Sequence, residues 1–226
     1  MRGFVSAGAA YNAGIRRAGG EVLVFAHQDV YLPPEWDSQV AAAVSRLSQS
    51  DPNWAVLGVF GITRDSKPQG HIYCTGLQRG FGQPFSQPVP CASLDEVILV
   101  LRRSANLTFD EQLPGFHFYG TDICFEASQR GLNSYVIPAF CIHNTQGLKF
   151  LPWAFWRGYL YMRRKWRHQL PIKTPCIEIT KWASPMAQHP LLSAYMHYVR
   201  REQPGRRVSD PASLYTQLRA NLMAQL

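Results

Sequence analysis

The 226-residue chain has five cysteines, Cys74, Cys91, Cys124, Cys141 and Cys176, and no two of them stand at C-x-x-C spacing. That excludes a zinc ribbon and a dithiol redox motif, and the odd number reads as buried free thiols. No apolar run approaches the roughly 20 residues that a membrane-spanning helix needs. The N-terminal stretch carries an early Arg2 but lacks the continuous apolar core of a signal peptide, so the cytoplasm is the expected location. Repeats and low-complexity tracts are missing too, which sets aside solenoid and disordered classes. Acidic residues are scarce, 15 Asp and Glu against 23 Lys and Arg, for a net charge of +8. The two signs nearly balance up to Gly147, so the basic excess lies in the last third, in "MRRKWRHQ" and "VRREQPGRR". Such clusters attract anionic lipid faces or nucleic acid, or are plain solvated helix faces. The near-neutral remainder and the lack of a binding motif argue against a nucleic-acid partner.

What is present begins with "EVLVFAHQDVYLPPEW", Glu21 to Trp36. Val22–Ala26 is a short apolar run of the kind buried on both faces of a sheet, and it leads straight into His27-Gln28-Asp29. A polar triplet at the carboxyl end of a central strand is where open α/β sheets place ligands. The preceding "SAGAAYNAGIRRAGG" reads as a helix, and "EWDSQVAAAVSRLSQS" as another with Trp36, Val40, Val44 and Leu47 on one face. "WAVLGVFGIT", "QGHIYCTGL", "LDEVILVLRRS" and "SYVIPAFCIHN" read as strands, 78–90 as a long surface loop, and "ICFEASQRG" as a helix stopped by Gly131. Downstream, Leu151, Phe155, Tyr159, Met162 and Trp166 form one helical stripe, and an irregular arm leads to a terminal helix starting near Pro211. The expected architecture is an α/β core over 1–147, with a mostly parallel, Rossmann-like sheet between helices, and a C-terminal aromatic and basic helical extension over 148–226.

Three features go beyond core-building. His27 and Asp29 are alternate residues, able to face one site and hold a divalent cation whose open positions take diphosphate oxygens. Alternatively, Asp29 caps the turn and His27 fills a polar niche. Asp122, in "GFHFYGTD", stands near a helix N-terminus, where it serves as a cap or, if it projects into a cleft, as a general base. His143 follows the last core strand and is a ligand only in company; alone, such a histidine is structural.

The order and spacing of these segments resemble the family 2 type of glycosyltransferase with the GT-A fold. In particular they look like a bacterial subgroup with H-Q-D where the family has its metal-binding D-x-D. "YNAGIRRAGGEVLVF", H-Q-D-V, "LPPEW", "FDEQLPGFHFYGTDICFEASQRG", "VIPAFCIHNTQG", "RRKW" and "LPIKTPC" carry it, over roughly Tyr11 to Cys176. The resemblance implies an inverting sugar transfer from a nucleotide-sugar to a glycan or lipid-linked acceptor, as in polysaccharide biosynthesis. It implies His27, Gln28 and Asp29 as the cofactor-binding triplet, Asp29, His143 and His27 as ligands of Mn²⁺ or Mg²⁺, and Asp122 as the catalytic base. On that resemblance the helix bearing Trp153, Trp156, Arg163, Arg164, Lys165 and Trp166 would meet a lipid-linked acceptor or make peripheral contact with the inner membrane face; the alternative, which its apolar stripe favours, is an ordinary amphipathic helix packed on the core. The family's first β-α nucleotide-binding unit has no counterpart in these 226 residues, so an exposed strand edge is expected. A non-catalytic GT-A-like module without a complete donor site is therefore the alternative.

Overall fold

The computed structural model describes residues 3–223. The elements run α1 (Ala7–Arg17), β1 (Val22–Ala26), β2 (Val30–Tyr31), α2 (Trp36–Ser50), β3 (Trp54–Gly58), β4 (Phe60–Thr63), β5 (Pro68–Cys74), β6 (Arg79–Gly82), β7 (Val89–Leu94), β8 (Ile98–Arg102), α3 (Tyr119–Gln129), β9 (Asn133–Val136) and β10 (Cys141–His143). α4 (Trp153–Lys165), a small hairpin of β11 (Ile172–Lys173) and β12 (Glu178–Ile179), α5 (Ser184–Ala194) and α6 (Pro211–Met223) complete them. Ser6 starts α1 by accepting the Ala9 N–H at 3.3 Å, as an N-cap serine does.

Ten strands form one sheet, in the order β1-β8-β3-β9-β7-β4-β5-β10-β2, with β6 added to β5. The mixed α/β class with flanking helices is as expected. Followed along the ladders, β1, β2, β3, β4, β6 and β9 run one way and the other four run back. The two directions interleave, so adjacent strands are parallel only at β3–β9 and β5–β10. Two apolar layers sandwich the sheet. On one face Trp36, Val40, Ala43 and Leu47 of α2 pack against Leu57, Ile98 and Val100. On the other, α3 and α4 join Leu23, Phe25, Val56 and Leu101, so this cluster crosses position 147.

Several boundaries differ from the sequence reading. β1 is an edge strand, not a central one. Among the described residues it pairs only with β8, and its burial alternates, with Leu23 and Phe25 covered and Val22 and Val24 exposed at 37% and 47%. A continuous apolar run does not distinguish a strand covered on both faces from one left open on one. "WAVLGVFGIT" is two fully buried strands broken at Val59, and "SYVIPAFCIHN" is two strands separated around Pro138, which has no N–H for a ladder. The 78–90 stretch is no plain loop: β6 folds back on β5 as a hairpin, and β7 begins at Val89. Gly70 makes that possible. At φ 140°, and with the Val59 carbonyl only 2.5 Å from where a Cβ would sit, the position turns β5 from β4 toward β6 and β10.

Candidate functional site

The site is built by two short strands. β2 runs antiparallel to β10, pairing Val30 with His143, and the Asn144 N–H donates to the Asp29 carbonyl at 2.7 Å. This register sets His143 beside Asp29 across 114 residues of chain, with Nε2 3.4 Å from Oδ1. His27 leaves β1 with its N–H on the Val97 carbonyl at 3.0 Å, and a turn at Gln28-Asp29 brings its ring to 5.5 Å from that of His143. One ligand atom from each of His27, Asp29 and His143 lies within 4.8 Å of the others, the one such cluster among the described residues. Gln28 is at the turn and points its exposed residue surface to solvent, outside this cluster.

The trio's surroundings fix its geometry. The Tyr119 hydroxyl lies 2.9 Å from His27 Nε2, donates to the Glu96 carbonyl at 3.1 Å, and is 3.2 Å from the Tyr11 hydroxyl. Burial, followed by the neighbouring His143, lowers the His27 pKa, so the ring is neutral at pH 7, the form that ligates metals. Asp29 is 10% exposed; its Oδ2 accepts from Arg207 at 3.0 Å, while its buried Oδ1 has no hydrogen bond. A buried carboxylate oxygen without a donor is costly, and a cation among these three side chains removes that cost.

Asp122 is not part of the trio. It sits in the first turn of α3, one turn from Tyr119, at 2% exposure. Trp166 Nε1 donates to Oδ1 at 2.7 Å and Lys165 Nζ to Oδ2 at 2.9 Å. The same ammonium reaches Asp110 at 2.8 Å and Glu126 at 2.9 Å. Burial raises the Asp122 carboxyl above the usual range, with Lys165 and Trp166 pulling it down. Burial also works against the Lys165 charge, but Asp122, Asp110 and Glu126 hold the ammonium above the ordinary lysine value. Of the residues the resemblance assigns to the site, His27, Asp29 and His143 are brought together and Asp122 is not. Asp122 is sealed against α4, because the aromatic helix that sequence placed apart packs its Lys165 and Trp166 onto α3.

Sequence reasoning missed four neighbours of the trio. Asp95 and Glu96 form the turn between β7 and β8, where the Asp95 side chain caps Val97 N–H at 2.9 Å. Their signal was a pair of carboxylates between two apolar strands, in "SLDEVILV". Tyr119 was inside the quoted "GFHFYGTD", without a sign that its hydroxyl would meet His27. Arg207 read only as part of a basic cluster. Gly120 locks α3 to the 94–96 turn, since a Cβ there would lie 2.6 Å from the Leu94 carbonyl.

The aromatic helix divides as a packed helix does. Phe155, Trp156, Tyr159, Met162 and Trp166 are buried, while Trp153 is 65% exposed. Of the residues expected at a membrane face, Trp156 and Trp166 are therefore in the core and Lys165 is in the carboxylate cluster. The outward side forms a groove of about 900 Å³ lined by Arg157, Arg163, Arg164, Arg167 and Lys181 beside Leu160, with no acidic residue. Among the described residues no helix is long and apolar enough to cross a membrane.

No protein-family model matches the chain. A protein of Fuscovulum blasticum, "ATP synthase subunits region ORF 6", is 30% identical over 166 residues, 69% of this chain and 63% of that protein. The chain thus spans less than two thirds of that relative. Among solved structures, GalNAc-T7 with UDP, GalNAc and Mn²⁺ superposes with a TM-score of 0.47 at 13% identity, over 87% of this chain and 44% of that one. The mannosyltransferase PcManGT of Pyrobaculum calidifontis, in complex with GDP-Man and Mn²⁺, gives 0.42 at 15% identity, over 88% and 50%.

Proposed function

We propose that the chain is a metal-dependent, inverting glycosyltransferase of the GT-A type, moving a sugar from a nucleotide-sugar to a glycan or lipid-linked acceptor. The observation that supports it is the trio of His27, Asp29 and His143 around Asp29 Oδ1, which has His143 Nε2 at 3.4 Å but accepts no hydrogen bond. Two imidazoles and a carboxylate suit Mn²⁺ better than Mg²⁺, which prefers oxygen ligands alone. When bound, the cation offsets the negative charge that grows on a departing nucleoside diphosphate. The remaining work belongs to the chain. Tyr119 orients the His27 ring, and the Asn144 N–H and the β2–β10 register fix Asp29 and His143. Asp122 enters through the resemblance alone, as the carboxylate that takes the acceptor hydroxyl's proton; burial raises its basicity in the direction a base needs, but Trp166 and Lys165 hold both its oxygens, so the role requires α4 to draw back from it. The basic groove on α4 is assigned to the acceptor side, where phosphate groups of a lipid carrier or an anionic membrane face would meet it.

Calorimetry with Mn²⁺ and a panel of nucleotide-sugars tests the reading. Asp29→Ala is expected to weaken metal-dependent donor binding at least ~10-fold, in line with loss of a ligating carboxylate. Asp122→Asn is expected to keep donor affinity and lose about 10²- to 10⁴-fold in turnover, as for removal of a general base. Wild-type turnover in Asp122→Asn removes that residue as base. Lack of any Mn²⁺-dependent donor binding by the unmodified chain removes the function and leaves the second reading, a non-catalytic GT-A-like module. One observation favours that alternative: the outer edge of β1 has no partner strand among the described residues, with Val22 and Val24 exposed.

A further inference from the structure

A strap from the C-terminal arm crosses the trio. Gly205 N–H donates to the Gly76 carbonyl at 2.9 Å, and Gly147 N–H to the Gly205 carbonyl at 3.0 Å. The approach admits only glycine, because a Cβ on Gly205 would lie 2.0 Å from the Thr75 carbonyl. Three residues on, the Asn144 side chain clamps Val208 from both sides, accepting its N–H at 2.8 Å and donating to its carbonyl at 3.0 Å. Beyond that, Asp210 caps α6, and Tyr215 of α6 stacks on Phe140 at 5.8 Å and hydrogen-bonds Glu35. Arg207 hangs between these anchors, 57% exposed, with Nη2 3.0 Å from Asp29 Oδ2. Asp29 is its only side-chain partner among the described residues, so most of its five N–H donors remain available.

We propose that Arg207 is a diphosphate-binding residue held ready on Asp29: it pairs with that carboxylate while the trio is without its cation, and with diphosphate oxygens once cation and donor are present. This rests on the glycosyltransferase reading and adds to it a residue from an arm that lies outside the segment carrying the family resemblance. Electrostatics gives the exchange its direction. A guanidinium beside Asp29 repels a cation entering the trio and competes for the carboxylate, so Arg207 opposes binding of metal alone. A diphosphate reverses that sign, because its oxygens accept the planar fork of N–H donors at the point where the arginine is already anchored. Anchoring on both sides, at Gly205 and at Val208, reduces the ordering cost of that contact.

The test separates the two signs. Mn²⁺ alone is titrated into the full chain and into Arg207→Ala and Arg207→Lys; then methylenediphosphonate, a bare diphosphate that needs no nucleobase subsite, is titrated at saturating Mn²⁺. Arg207→Ala is expected to bind Mn²⁺ alone roughly 2- to 5-fold more tightly, the scale of a partly exposed ion pair. It should bind methylenediphosphonate roughly 10- to 100-fold more weakly, the scale of lost charged hydrogen bonds. Arg207→Lys, which keeps the charge and loses the fork, should stay near the unmodified chain for Mn²⁺ and recover only part of the diphosphonate affinity. Both affinities unchanged in Arg207→Ala, or both falling together, overturns the role of Arg207 while leaving the metal site standing. No Mn²⁺ binding by any of the three proteins overturns the metal site itself, and this inference with it.

Discussion

At the scale of single residues, Glu96 carries the clearest pH signature. Its carboxyl is pushed up to about 8 from the ordinary 4.5, by burial first and then by Asp95, against the N–H groups of Phe118 and Gly120 at the start of α3. The native state therefore keeps a proton that the unfolded chain releases near the ordinary value. Between about pH 4.5 and 8 the native form binds more protons, so stability falls as pH rises through that window and levels off above it. The steepest contribution of one such group is about 1.4 kcal/mol per pH unit. Urea unfolding at pH 5, 6, 7 and 8 should show the decline, and Glu96→Gln, which carries no titrating proton, should flatten it. An equal slope in Glu96→Gln would assign the dependence to other groups. The same turn shows what a single sequence conceals. His27, Asp29 and His143 were legible because His27-Gln28-Asp29 directly follows the apolar β1 and His143 closes β10, and strand ends gather polar side chains at a sheet's rim. Tyr119, Asp95 and Arg207 were not, because their partners are fixed by close packing of α3 on the 94–96 turn and by the path of the arm, which no local pattern encodes.

At the scale of elements, α3 and α4 are held together by one ammonium among three carboxylates. Lys165 serves Asp110, Asp122 and Glu126, whose side chains are 17%, 2% and 25% exposed. Lys165→Met keeps the aliphatic stem and leaves those charges facing one another. Loss of one partner of a mostly buried ion pair costs about 2–4 kcal/mol here, below the 3–5 of a fully buried pair because solvent reaches Glu126 and Asp110. For a chain of this size that is a fall in Tm of roughly 5–15 °C. Adding Asp122→Asn to Lys165→Met should restore part of the loss by removing the most buried of the stranded charges, whereas additive losses in the double variant would show that the two side chains do not act on each other. The helices themselves were readable: α2 begins at Trp36, where its apolar spacing begins, α6 begins at Pro211, the proline read as near its first turn, and the α4 stripe is the buried one. The strands were less so. Apolar runs do not reveal where a ladder is interrupted, and β6 offers a single apolar residue, Phe81, amid an exposed Arg79 and Gly80 and a Gly-rich composition that local rules assign to loops.

At the scale of the whole molecule, part of the uneven charge seen in the sequence gathers in one groove. The excess basic residues of the last third do not spread evenly. Arg157, Arg163, Arg164, Arg167 and Lys181 line one groove together with Leu160 and Leu170, and the exposed Trp153 is also on α4. Arg163 is braced by hydrogen bonds to the carbonyls of Thr180 and Lys181, so the connection between β12 and α5 holds one wall of the groove in place. Cations gathered with an exposed indole match an anionic interface, where basic residues near the surface each contribute about 1 kcal/mol and an aromatic ring sits at headgroup level. Binding to vesicles containing phosphatidylserine is therefore expected at low salt and weakens steeply as ionic strength rises, since the Debye length shrinks from about 30 Å at 0.01 M to 10 Å at 0.1 M. Arg157→Ala combined with Arg164→Ala should lower the vesicle partition coefficient roughly 10-fold or more, while neutral phosphatidylcholine vesicles bind neither protein. Neither arginine touches Asp29, His27 or His143, so Mn²⁺ affinity should stay the same in the double variant, which separates the groove from the trio. Sedimentation of the chain with both vesicle types across a salt series decides the matter: equal binding to neutral and anionic vesicles, or binding insensitive to salt, would show that the groove's charge is not what the surface uses.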